Sequence, residues 1–242
     1  MTQNAIDVVA TAQARSRSVR EQFGSLLPSG DPWHPIPFFG PLNTASALTV
    51  AMNPSADEFR DRGWPLTMTA PDLTARLLGY FRHSAAPHPW FAKSELPLLP
   101  CHLRYGLNLA HLDIVCRATR TIKADDGPAF LRLAEQEDDT FFRCLDAAAD
   151  ARLVILTGSL TGRFYLHEYV ARRGPSSGWT LSPKALRVPG GPFAGHYRLT
   201  KGSRTLPVFF ASASVNRRGG PREYERLVLA HRDTIRGHLG FA

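Results

Sequence analysis

Asn53, Asp113 and a run of small polar residues from Ser212 to Asn216 are the side chains best suited to chemistry in this 242-residue chain. Asn53 opens the turn Asn53-Pro54-Ser55 at the end of an apolar run. Its amide carries donors and an acceptor, so it can orient a water molecule, but it cannot take a proton as a carboxylate can. Asn-Pro also opens turns and caps helices, which is the competing reading. Asp113 lies inside a second apolar run, with His111 two residues before it and so on the same face of a strand. An ionised Asp only accepts hydrogen bonds and suits an amino or ring N–H. His111 can donate to Asp113 or to a carbonyl; a structural His–Asp pair fixing a loop is the alternative. Ser212-Ala213-Ser214-Val215-Asn216 runs into Arg217 and Arg218, with Arg222 shortly after. A polar pocket beside a basic loop suits a nucleobase held inside and phosphates gripped outside. The arginines are equally a solvated charged face if no nucleic acid binds.

Other chemistries find little footing. Gly158-Ser159-Leu160-Thr161-Gly162 places Ser directly after Gly, which is not the spacing of a nucleophile elbow. There is no Gly-x-x-x-x-Gly-Lys phosphate loop. His83, His88 and His102 have no partner at metal-ligand spacing and read as loop residues. The cysteines, Cys101, Cys116 and Cys144, are three and scattered, which argues against a disulfide framework or a metal knuckle and fits a reducing cytoplasm. No apolar run is long enough to span a bilayer, so no membrane association is expected, and the N-terminus lacks a signal-peptide pattern.

The net charge is +8, and its placement matters more than its size. From Arg187 to the end there are ten Lys/Arg against three Asp/Glu, while the preceding 186 residues carry 19 against 18. Of the 29 basic residues 25 are Arg, as a GC-rich genome would give, but that does not explain why acids are missing from one end. A local basic field attracts polyanions, nucleic acid first among them.

The elements that must position these residues follow from periodicity. Residues 5–27 read as an amphipathic helix packed on the outside of the domain, with a mitochondrial targeting peptide as the alternative that Asp7 and Glu21 oppose. Pro28 to Pro41 is extended and irregular, with aromatics that suggest it is packed down. Ala47 to Met52 is a buried strand of the parallel kind. Thr69 and Pro71 open a helix running through Phe81, followed by a loop with His83, His88, Pro89 and Trp90. Leu107 to Cys116 is a second strand. One helix starts near Gly127-Pro128 and carries Phe130 through Leu145. Arg152 to Thr157 is a third strand, and the next helix stops at Gly174. His196–Thr200 and Leu206–Phe210 form a hairpin, and a last helix runs from about Pro221. Strands alternating with helices indicate one α/β domain, residues 28–242, with a mostly parallel sheet covered on both sides. In such folds ligands bind beyond the carboxyl ends of the strands, where Asn53, Asp113, Gly158-Ser159 and Ser212 all fall.

Ala51-Met52-Asn53-Pro54-Ser55 resembles the first motif of the uracil-DNA glycosylase superfamily, notably the Gly-x-Asn-Pro-Gly form of mismatch-specific and single-strand-selective members. His111 to Thr119 is similar to that family's second strand, which ends in Arg-x-Thr. Ser212 to Arg217 stands where the family has a His-Pro-Ser or Asn-Pro-Ser loop. The three motifs occur in the family's order over roughly Phe38 to Arg226. The resemblance implies a three-layer α/β/α fold and a monofunctional DNA glycosylase, acting as a monomer on DNA with no metal or organic cofactor. It assigns Asn53, Asp113 and Ser212 to catalysis. Met52, Trp64, His111, Ser214 and Asn216 would hold the base, with Trp64 stacking on it and Phe59 or a purely structural Trp as alternatives. Arg217, Arg218 and Arg222 would hold the DNA backbone.

The chain departs from the pattern at two places. Asp113 stands where several members read the base with Asn, so uracil need not be the substrate. Ser212 stands where the most active members have His, and Ala213 replaces Pro, so a strong donor to the leaving base is missing. A non-catalytic DNA-binding protein that kept the fold is the competing expectation. Hydrolysis of a free nucleoside or nucleotide is a third.

Overall fold

Apolar runs that must be buried on both faces become the middle of a sheet. The computed structural model describes residues 2–24, 35–54, 68–83, 87–119, 127–137, 139–157, 167–182, 197–211 and 220–241. Strands β2 (Ala47–Ala51), β3 (Leu109–Asp113), β4 (Leu153–Thr157) and β7 (Arg204–Ala211) run parallel in the order β3-β2-β4-β7. Three antiparallel strands flank them. β1 (Phe38–Phe39) edges β3, while β6 (Tyr197–Lys201) and then β5 (Thr180–Ser182) extend beyond β7. The hairpin joining β6 to β7 forms as expected, turning at Gly202 with a φ of 56°. β1 and β5 are too short to show an alternating pattern, and the sequence reading missed both.

Several segments expected as single helices are divided in the structure. The N-terminal segment is two helices, α1 (Thr2–Ala14) and α2 (Ser16–Phe23), not one. The guanidinium of Arg117 sits at their junction, donating to the Ala12 carbonyl and, at 2.7 Å, to the Ser16 hydroxyl. α3 (Ala70–Leu78) is capped by Thr69, whose hydroxyl accepts from the Asp72 N–H, and it ends at Gly79 before the short α4 (Tyr80–His83). The expected loop after Phe81 instead contains α5 (Pro89–Glu95), capped by the His88 ring, and a 3-10 turn over Leu96–Cys101. The single helix expected after Gly127 is α6 (Gly127–Gln136) and α7 (Thr140–Ala147), broken at buried Glu137 and at Asp139, whose φ is 57°. α8 (His167–Ser177) runs past Gly174 rather than stopping there. A Cβ at Gly174 would sit 2.3 Å from the Trp179 carbonyl oxygen, so glycine is needed for close approach, not termination. The last segment is α9 (Gly220–Ala230) and α10 (Arg232–Leu239), divided at His231.

Both faces of the sheet are covered, which gives three layers. Leu48, Val50, Ala110, Leu112, Val154 and Leu156 pack in the core that α1, α6 and α7 close. Ala47, Leu109, Leu153, Ile155 and Phe209 pack on the other face beneath the 3-10 turn, α9 and α10. α1 lies against α3 and α7, with Ala5, Val8, Val9 and Ala12 buried. Among the described residues no helix is long and apolar enough to cross a membrane.

Candidate functional site at the carboxyl edge of the sheet

β2 lies between β3 and β4, so the chain leaves β2 for one side of the sheet and later returns to its other side. Open sheets wound in both directions bind ligands outside the carboxyl ends of the strands at such a switch point. Asn53 stands there, just past β2. Its Nδ2 donates to the Pro54 carbonyl at 2.8 Å and to the Thr119 hydroxyl at 2.9 Å. Thr119 is 66 residues away, so the Asn53 amide is held by the tail of β3 as well as by its own turn. Both amide hydrogens are engaged, which leaves the carbonyl oxygen as the group able to accept a hydrogen bond from water. Met52, half-buried, is tied to the same tail: its carbonyl accepts from the Val115 N–H at 2.9 Å.

Asp113 is the register partner of Ala51 and closes β3. It is 2% exposed, and neither carboxyl oxygen has a hydrogen-bond partner among the described residues. Burial pushes its pKa up from the ordinary carboxylate value, partly offset by His111. Nε2 of His111 approaches Asp113 Oδ1 to 3.4 Å, a close contact whose geometry is not a hydrogen bond's. His111 is buried too, with the rings of Trp90, Phe91 and Phe39 around it at centroid distances of 4.7, 5.3 and 6.1 Å. The expected His111–Asp113 juxtaposition is therefore present.

Beneath that pair runs a chain of hydroxyls that sequence reading missed. Nδ1 of His111 lies 2.8 Å from the Thr49 hydroxyl, which lies 2.8 Å from the Tyr105 hydroxyl, which lies 3.1 Å from the Ser94 hydroxyl. Thr49 was visible only as one polar residue in an apolar run. Its pairing with His111 follows from the β2–β3 register, where the two are direct partners. Tyr105 is held by stacking on Phe81 and by Glu95, which accepts from its backbone N–H.

Arg117, two residues before Thr119, is 1% exposed and turned inward. Its Nε donates to Glu137 Oε1 at 3.0 Å, and Cys116 Sγ approaches Glu137 Oε2 to 2.8 Å. The Arg-x-Thr segment thus divides its work: Arg117 ties the tail of β3 into the core, and Thr119 holds Asn53. Among the described residues no group of three or more His, Cys, Asp or Glu is close enough to hold a metal ion.

Ser55, Phe59, Trp64, Gly158-Ser159, Ser212, Ser214, Asn216, Arg217 and Arg218 lie outside the described residues. Arg222 is exposed on the first turn of α9. The basic excess of the last quarter is not all gathered near the site edge. Arg204 opens β7, at the opposite edge of the sheet, and donates to the Leu145 and Ala148 carbonyls. Lys201 pairs with Asp146 at 2.7 Å at the same hairpin.

Fold and site together define an α/β protein with a buried carboxyl and a fixed amide at the carboxyl ends of adjacent parallel strands. No protein-family model matches the chain, and no curated protein matches it.

Proposed function

We propose that this protein is a uracil-DNA-glycosylase-like enzyme that hydrolyses the N-glycosidic bond of a flipped damaged or mispaired base. The observation that carries the reading is the pairing of Asn53, fixed by Thr119, with the unpartnered carboxyl of Asp113 on the neighbouring strand. Native proteins seldom bury a carboxyl without a partner, and they do so where a ligand supplies one. On this reading Asn53 orients the attacking water through its carbonyl oxygen. Asp113 and His111 face the base, and Ser212, Ser214 and Asn216 complete the pocket. Arg217, Arg218 and Arg222 hold the phosphates.

The test uses oligonucleotides carrying uracil, hypoxanthine, xanthine or mismatched bases, with alkali to cleave abasic sites. Asn53→Ala is expected to lower the cleavage rate by about 10²-fold, the usual cost of losing a positioned reactant. Thr119→Val is expected to lower it less, without changing KM, and Thr119→Ser to restore it. Cleavage unchanged in Asn53→Ala would sink the assignment. Absence of cleavage on every lesion, together with salt-sensitive DNA binding, would point to a binding protein that kept the fold.

A further inference from the structure

The hydroxyl chain below His111 has a direction, and the direction can be derived by counting protons. Ser94 Oγ donates to the Phe91 carbonyl at 3.1 Å, and a carbonyl has no proton to return. A hydroxyl owns one proton, so Ser94 can only accept from Tyr105. The Tyr105 proton is then spent, and Tyr105 accepts from Thr49. Thr49 can also reach the Ala110 carbonyl at 3.4 Å, but either choice uses its one proton. None is left for His111, so Thr49 must accept from Nδ1 across their 2.8 Å contact.

We propose that the Thr49–Tyr105–Ser94 chain locks the proton of His111 on Nδ1, so that His111 and Asp113 hold one further proton between Nε2 and the carboxyl. With Nδ1 protonated, a neutral ring would turn a bare Nε2 towards a bare carboxylate, two acceptors 3.4 Å apart in a dry site. One shared proton removes that conflict and makes the pair neutral overall, as burial demands. The separation of 3.4 Å is longer than a hydrogen bond of either kind, so the proton resides on one partner or the other and is not centred between them. The other titratable groups that bear on the pair are Tyr105, Glu95 and Cys144 of α7. Burial pushes Tyr105 and Cys144 up and keeps them uncharged, and Glu95 is engaged by the Tyr105 N–H.

Resting on the glycosylase reading, this stored proton is the donor that Ser212 does not replace. As the glycosidic bond breaks, its electron pair goes to the base nitrogen and the shared proton moves to the departing base. Asp113 is left as a carboxylate beside neutral His111. The water oriented by Asn53 adds its oxygen to the sugar carbon and releases a proton, which restores the pair. Thr49, Tyr105 and Ser94 are positioning residues in this scheme.

The test is long-range ¹H–¹⁵N spectroscopy of the full chain labelled in histidine, with His111 assigned by its loss in His111→Gln. Nδ1 is expected to be protonated at every pH at which the fold holds. In Thr49→Val the only acceptor left is Asp113, so the neutral ring should move its proton to Nε2. Tyr105→Phe, which retains the ring on Phe81, lets Thr49 turn its proton towards Nδ1 and should give a mixture of tautomers. A bare Nδ1 with a protonated Nε2 in the unmodified protein overturns the proposal, and so does one tautomer common to all three proteins. For the acid role, the cleavage rate should fall as pH rises through the titration of the pair. In Asp113→Asn it should be about 10²-fold lower with that limb absent. The same limb in Asp113→Asn overturns the acid role. The expected spectra with no cleavage on any lesion would leave the proton lock standing and remove the glycosylase reading instead.

Discussion

Asp113 is held in a state that costs the protein stability. Its carboxyl is buried without a donor, and its pKa is raised, so the folded chain binds a proton more tightly there than the unfolded chain does. A raised acid pKa means that stability is greatest below the unfolded value, about 3.9, and is lost as pH rises towards the folded value. Asp113→Asn removes that loss. Its Tm should match the unmodified protein in acid and exceed it near neutral pH, by about 2–4 °C for each kcal/mol recovered. Thermal melts across pH check this; a Tm lowered equally at every pH would show that Asp113 supports the fold. Gaining stability while losing cleavage is the behaviour expected of a residue kept for function. Asn53 and Asp113 were legible in the sequence because each is a polar side chain at or near the end of an apolar strand. Thr49, Tyr105, Ser94 and Thr119 were not. The contacts of Thr49 and Thr119 span 56, 62 and 66 residues along the chain, and Ser94 meets Tyr105 11 residues away only because α5 packs there. Trp90, in a stretch whose sequence reads as a loop, lies against His111 because it belongs to α5.

At the level of elements, the tail of β3 is the fixed point to which the helices are tied. Arg117 reaches the α1–α2 junction through Ser16 and Ala12, and the α6–α7 junction through Glu137. The pair Arg117–Glu137 is almost fully buried, at 1% and 0% side-chain exposure. Removing one partner of such a pair strands the other charge, at a cost of about 3–5 kcal/mol. Arg117→Met should therefore lower the unfolding free energy obtained from urea titration by that much, while Ser16→Ala, which removes one neutral partner of the guanidinium, should cost about 1 kcal/mol. Equal effects from the two would mean that the guanidinium is not the anchor. This arrangement also explains where element reading failed. Alternating strands and helices gave the parallel centre of the sheet, because a strand buried on both faces is apolar throughout. The helix breaks at Arg15 and Glu137 coincide with contacts made by Arg117, beyond the end of β3, and periodicity within the helices does not reveal them. Gly174 misled for a related reason: it serves contact with Trp179, and periodicity reads glycine only as a stop signal.

At the level of the whole molecule, charge divides between holding the fold and facing outward. Arg204 and Lys201 account for part of the basic excess, yet both are engaged at the hairpin end of β7, with Arg204 also stacked 5.5 Å over the Trp179 ring. Neither is positioned to grip a phosphate at the carboxyl edge. The proposed DNA contact then excludes Arg204 and Lys201, and Arg222, exposed on the first turn of α9, is the described candidate to test first. Neutralising one phosphate contact reduces the slope of log K against log salt by about 1, because one fewer counterion is released. Arg222→Ala should weaken binding to any DNA sequence by a similar factor and flatten that slope by about 1. Arg104, exposed in the turn before β3 at the opposite edge, is the matched control. Arg104→Ala should leave both affinity and slope unchanged. Binding titrations over a range of salt concentrations decide the matter. Equal slopes for the two variants would place the DNA somewhere other than the edge that carries Asn53 and Asp113, and the pocket would then have to take a free nucleoside or nucleotide instead of a base flipped from a strand.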